Sequence, residues 1–276
     1  MSLNMIVDTI FVGNWIGANA IAATTIVLPI TFLIASFGMA VGIGGASIIS
    51  RAFGEDDDDK AHHVFGNQIV LSLGFSVVLL FLGLVFREEA LLLFGAKGEV
   101  LEPARHYYTI IMYGVPFLAL FMTGNPVIRA EGQPKFSMYA LIIPAIVNIV
   151  MDYLCIVVWD FGISGAAWAT TTAYLFSFLF IYWFFVSKFS ELQIKFKCLM
   201  LEWSIVKEIG SLGGVTLARQ GVVSILSIVL NHALYRFGGE TSLAVYGIIS
   251  RLLMFALFPV LGIAQGFMPI AGYNFG

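Results

Sequence analysis

The chain has 276 residues, 59% of them hydrophobic and only 11% charged, with a mean hydropathy of +0.94, whereas soluble chains carry about 25% charged residues. That composition excludes an ordinary soluble enzyme and describes a polypeptide built to face lipid. With 17 acidic against 14 basic residues the formal net charge is -3, so there is no basic field to attract a phosphate backbone and nucleic acid is not an expected partner.

A bilayer-crossing helix needs about 20 mainly apolar residues, because backbone groups left unpaired in hydrocarbon are very costly and a helix pairs them internally. By that measure about eight segments are predicted. The first, Ser2 to Val12, is short and carries Asp8. It lacks the basic start and cleavage site of a secretory signal and reads as the interior of a helix. The second, Ala20 to Ser50, is uncharged. An acidic connector follows, Glu55-Asp56-Asp57-Asp58-Asp59-Lys60. It lacks the Gly and distal Glu of a calcium loop and reads as a solvated loop, with His62 and His63 facing water beside it.

The third segment runs from Val64 to Phe86, the fourth from His106 to Ile128, the fifth from Phe136 to Val158 and the sixth from Gly162 to Ser187. A lysine-bearing stretch with interleaved apolar residues, Lys188 to Lys207, suits an interfacial linker. The seventh segment, Ile209 to Tyr235, contains Arg219, and the eighth, Thr241 to Gly272, contains Arg251. Eight Lys or Arg residues fall in the connectors after segments two, four and six, and four in the others. The positive-inside rule therefore places the first set in the cytoplasm.

Shifted by 222 residues, Ile6 to Gly54 aligns without a gap on Ile228 to Gly276, with nine identities among them Gly17 with Gly239 and Gly44 with Gly266. The shift spans six segments, so both copies share one orientation, as in transporters built from parallel repeats. The expected organisation is an N-lobe over 1–187, a cytoplasmic linker over 188–207 and the start of a C-lobe over 208–276. The chain reads as a fragment, with its first helix clipped and about four helices missing from its end.

Asp8 and Asp152 are the acids within segments. A mid-membrane charge costs at least about 2.5 to 3.5 kcal/mol, so such a group faces a cavity, finds a partner, or binds protons or cations. Asn148 lies four residues before Asp152, on the same helix face. An amide oxygen beside a carboxylate can hold a hard cation or a shared proton, and the spacing does not choose between them. Thr170 could add a hydroxyl or bond its own backbone. Arg219 follows Gly210, Gly213 and Gly214, and its guanidinium either snorkels to the cytoplasmic face or lies in a cavity, as does that of Arg251. Pro29, Pro116, Pro126, Pro144, Pro259 and Pro269 bend helices or simply pack. Cys155 and Cys198 lack metal or redox spacing and are expected to be free thiols. Hydrolase, zinc and P-loop signatures are missing, so neither an enzyme nor a cofactor is expected.

Several strings resemble the multidrug and toxic compound extrusion (MATE) family, closest to its MepA-like and DinF-like branches. They are Asp8-Thr-Ile-Phe-Val-Gly13, Gly42-Ile-Gly-Gly-Ala-Ser47, Arg129-Ala-Glu-Gly-Gln-Pro-Lys135, Asn148-Ile-Val-Met-Asp152, Gly162-Ile-Ser-Gly-Ala-Ala-Trp-Ala-Thr170, Tyr246-Gly-Ile-Ile-Ser-Arg251 and Gly272-Tyr-Asn-Phe-Gly276. The resemblance implies an all-α polytopic plasma-membrane protein of two six-helix lobes, about eight of the twelve helices being present. It implies export of cationic drugs and dyes in exchange for Na⁺ or H⁺, without an obligate protein partner. It assigns the N-lobe cation site to Asp8, Asn148, Asp152 and Thr170. Where one family branch places a cation-linked Glu, this chain reads Arg219-Gln220, so a C-lobe site is not expected. Two other readings are a flippase for lipid-linked or amphiphilic substrates, which needs a more basic cavity, and a membrane scaffold or receptor that transports nothing.

Overall fold

The computed structural model describes residues 2–93, 96 and 100–219, and beyond these 222, 226, 257, 260, 262–264 and 266–275. The first predicted segment is helix α1 (Ser2–Phe11), which passes into a π-helical turn, Val12–Ile16. Gly17 then breaks the rod with φ 117° and ψ -177°, a backbone region that only glycine enters without strain. Helix α2 (Ala18–Gly54) restarts the chain. Its 37 residues span about 55 Å at 1.5 Å per residue, well beyond a hydrocarbon core of about 30 Å.

Helix α3 (Asp58–Val85) begins six residues before the predicted apolar segment. The acidic run explains this: the Asp57 side chain accepts a bond from the Lys60 N–H at 3.0 Å, and Asp58 and Asp59 occupy the first turn, where negative charge suits the helix dipole. The run is thus a turn and a helix start rather than wholly a loop. His62 and His63 do not stand free in water as expected. The buried His62 ring places Nδ1 2.7 Å from the Asp58 carbonyl, and His63 Nδ1 lies 3.1 Å from a Glu202 carboxylate oxygen.

A short helix absent from the sequence reading, α4 (Arg87–Leu93), caps the opposite end of α3. Its Glu88 is held by Arg105 at 2.8 Å and by Arg87 at 3.2 Å, and these guanidinium contacts keep the Glu88 carboxyl below its ordinary range. Helix α5 (Leu101–Ala130) carries Pro116 and Pro126 inside it and packs against α2, α3 and α7. Helix α6 (Pro134–Asp152) starts on Pro134, continues into a second π-helical stretch, Tyr153–Val158, and is followed by α7 (Gly162–Val186). Residues 203–219 form a further helix, α8. It begins six residues earlier than predicted, because Trp203 to Glu208 continue the helix into the polar layer. Most of the rest of the seventh segment and most of the eighth, with Arg251 and Pro259, lie outside the described residues.

Small residues set the helix spacing, as expected where lipid removes the hydrophobic drive between helices. A Cβ on Gly42 of α2 would stand 2.7 Å from the Met122 carbonyl and 2.9 Å from the Thr123 Cα of α5. Thr123 fills that crossing, donating to the Gly38 and Ala119 carbonyls at 3.1 and 2.9 Å and sharing a 2.6 Å bond with Ser72 of α3. At the end that the charge bias assigns to the cytoplasm, α2 meets α8. A Cβ on Gly44 would lie 2.6 Å from the Ile209 carbonyl, and Arg51 pairs with Glu208 at 3.2 Å.

Candidate functional site

Helix α6 shows how the site residues are aimed. Ser137, Ala140, Pro144, Asn148 and Asp152 are its buried residues, spaced by three or four and hence on one face, while Ile142, Ile146 and Val150 are exposed on the opposite side. The usual soluble pattern is reversed, and the polar groups are the inward ones. Asp152 is the last residue before the Tyr153–Val158 π stretch, and Asp8 lies one turn before the Val12–Ile16 π turn. The two π stretches touch each other, and α1 packs along α6. Each π turn adds a residue and breaks the regular ladder, a feature frequent at functional sites.

Asp152 is fully buried, and Asn148 is 3% exposed. Neither Asp152 carboxylate oxygen, nor Asp8 Oδ1, has a hydrogen-bond partner among the described residues. Asp8 and Asp152 lie close enough to interact electrostatically. Beside them opens a cavity of ≈ 160 Å³ between α1, α2, α5, α6 and α7, lined by Asp8, Asn148 and Thr170 together with Tyr107, Tyr174 and Ser177. One water needs roughly 10–15 Å³ on this measure, so the space holds several waters or a partly hydrated ion. Phe32, Leu28, Leu118 and Phe121 make the remaining wall largely apolar.

Of the four residues singled out from the sequence, Asp8, Asn148 and Thr170 line the cavity, whereas Asp152 is not among the lining residues and lies one helix turn beyond Asn148. Thr170 and Tyr107 both line the cavity, which brings two hydroxyls to its wall. The sequence reading missed Tyr107 and Tyr174. Thr170, Tyr174 and Ser177 are four and three apart, so the face they share on α7 was available as a signal. Tyr107 on α5 had none, since only the fold sets it opposite Thr170. Arg219 is exposed on α8 and is not among the lining residues. Arg251 lies outside the described residues. Cys155 and Cys198 are buried free thiols.

Comparison with known proteins gives a consistent picture. Over its whole length the chain is similar to multidrug export proteins named MepA. It is 26% identical to one from Staphylococcus aureus and 28% identical to one from Staphylococcus haemolyticus, each over 98% of this chain and 60% of the relative. Among solved structures, MATE in the bent conformation and in the straight conformation match with TM-scores of 0.92 and 0.93 at 29% and 28% identity. A MOP superfamily transporter from Pyrococcus furiosus, whose structure is described by a reversed polarity of the binding pocket, matches with a TM-score of 0.92 at 29% identity. All three cover 99% of this chain and 61% of the solved one. The chain therefore spans about three-fifths of the length of these relatives. The family model described as MatE matches residues 1–154, more than half of the chain. With its helical, multi-pass plasma-membrane architecture, the chain belongs to the MatE family.

Proposed function

We propose that this chain carries the cation-coupled lobe of a secondary-active exporter, which moves cationic or amphiphilic small molecules outward in exchange for Na⁺ or H⁺. The observation that carries the reading is a pair of acids at the cavity, the half-buried Asp8 in its wall and the fully buried Asp152 one turn beyond Asn148, with one oxygen of Asp8 and both of Asp152 lacking a partner among the described residues. An unpaired carboxylate in a low dielectric is strongly disfavoured, so the site calls for a cation or a proton. Asn148 and Thr170 add neutral oxygens, the ligand type a hard cation takes. Two acids with neutral oxygens suit one small positive charge.

The chemistry is exchange rather than bond making. A cation entering from outside neutralises Asp152 and Asp8 and draws α1 and α6 together at their two π turns. The cavity wall then shifts, and a cationic guest loses the negative field that held it. Linkage requires the converse, that a bound guest weakens the cation. Tyr107, Tyr174 and the apolar wall offer flat surfaces for aromatic cations. The flippase reading needs a basic cavity, and the described lining residues supply no basic side chain.

The test is ethidium efflux from cells lacking their own pumps, under imposed Na⁺ or pH gradients. Efflux should follow one gradient and fall at least about 100-fold in Asp152→Asn. Equal efflux from wild type and variant would remove Asp152 from the mechanism. No efflux from either, with both proteins confirmed in the membrane, would favour the scaffold or flippase readings.

A further inference from the structure

The stretch between α7 and α8 is polar, lysine-bearing and free of long helix, the composition of a flexible tether. Its contacts are not those of a tether. At one end the Glu131 carboxylate, in the α5–α6 turn, accepts from the Ser190 hydroxyl at 2.8 Å and from the Leu192 N–H at 3.2 Å. Leu192 is fully buried. At the other end Asn67 of α3, also fully buried, donates to the Met200 carbonyl at 3.2 Å and accepts from the Glu202 N–H at 2.8 Å. One amide thus pairs both a carbonyl and an N–H of the passing chain, as a neighbouring strand would. His63 adds its 3.1 Å contact to Glu202. Gly66 lets the chain lie directly on α3: a Cβ there would fall on the Cys198 carbonyl, 2.6 Å from its carbon.

We propose that residues 188–202 are a docked arm of the N-lobe, clasped by Glu131 and by Asn67, and that the lobes pivot at the Glu202–Trp203 junction. The helix restarts at residue 203, directly after the last clasped group. The next ion pair, Arg51 with Glu208, is part-exposed on both sides, which makes it the bond that swings open. Confining the pivot to one junction gives the C-lobe a fixed axis, where a free tether of this length would give none. The docking stands whichever ion the cavity binds. The pivot rests on the export reading.

Cys198 is a built-in reporter, 6% exposed and lying under the clasp. The experiment labels inside-out membrane vesicles of the protein with a membrane-impermeant maleimide, with Cys198→Ser setting the background. Wild-type Cys198 is expected to label at least tenfold more slowly than after denaturation, and no faster when an ion gradient and ethidium are supplied. Asn67→Leu, and independently the milder wedge Gly66→Ala, should raise the resting rate severalfold while size-exclusion profiles show a folded protein. Resting wild-type labelling at the denatured rate would overturn the arm. Acceleration on imposing the gradient would overturn the fixed pivot. If neither variant folds, the resting and energised wild-type rates still decide. Failure of gradient-driven ethidium uptake into the same inside-out vesicles counts against the export reading and leaves the resting rates to judge the docking.

Discussion

Two regions of the helical bundle bury polar side chains equally deeply and use them in opposite ways. In the seam between α2, α3 and α5, Gln68 and Ser72 are fully buried and Thr123 nearly so, and each bonds across a helix interface: Gln68 donates to the Val41 carbonyl at 2.7 Å, and Ser72 meets Thr123 at 2.6 Å. On α6, one turn from the cavity-lining Asn148, Asp152 is just as buried, yet both its oxygens stand without a partner among the described residues. The seam has one orphan of its own, Gln68 Oε1. A neutral acceptor left unpaired costs about 1–3 kcal/mol, whereas an ionised carboxylate costs more. Burial alone therefore does not mark a functional polar group in a membrane. What marks it is a charge that the protein itself leaves unbalanced.

The comparison is sharpened most by Asp152→Asn and Gly42→Leu, which should fail for different reasons. Asp152→Asn should fold normally and lose at least about 100-fold of gradient-driven efflux, because it removes only a charge. Gly42→Leu should remove folded protein from the membrane, because its side chain would meet backbone of α5 at 2.7–2.9 Å and overpacking against backbone costs roughly 1–3 kcal/mol or more. Expression monitored by size exclusion separates the two outcomes. Normal expression of Gly42→Leu would show that the seam is looser than drawn.

Next in size is Glu131, in the α5–α6 turn. Burial pushes its carboxyl up to about 7, so the docked arm holds a proton that a solvated glutamate near 4.5 has lost. Its contribution is complete below about pH 4.5, falls as pH rises from there through about 7, and is gone above. Glu131→Gln should therefore match wild type near pH 5 and exceed it in thermal stability at pH 8, by on the order of 1–3 kcal/mol. Identical pH profiles would mean that the carboxylate is solvated.

Smaller effects are expected from the hydroxyls. Tyr107→Phe should weaken cation binding about three- to tenfold through loss of a hydroxyl from the cavity wall, and Thr170→Ser should retain most of the affinity. In the seam, Ser72→Ala should cost about 0.5–1.5 kcal/mol of stability and leave the cation response unchanged. A changed ion dependence in Ser72→Ala would join the two regions that the structure keeps apart.

Much of this was legible before the fold. Apolar length located the spanning helices, since the bilayer imposes one ruler on all of them, and the cost of a buried charge singled out Asp8 and Asp152. Helix ends were misplaced wherever polar residues prolonged a helix into water, as Asp58 to Lys60 do at the start of α3. The π turns left no signal, because they follow from how α1 and α6 pack against each other. The arm was the least visible feature. Asn67 meets Met200 and Glu202 from more than 130 positions away, and no local pattern encodes such a pairing.

The central claim is that the unbalanced carboxylates couple a cation to a guest. The most direct measurement is calorimetric titration of ethidium into the purified protein at low and high Na⁺ and at two pH values, for wild type and Asp152→Asn. The account predicts that one of the two ions weakens wild-type binding at least about fivefold, the lower range of measured couplings, and leaves the variant unaffected. Wild-type affinity indifferent to both ions would contradict it.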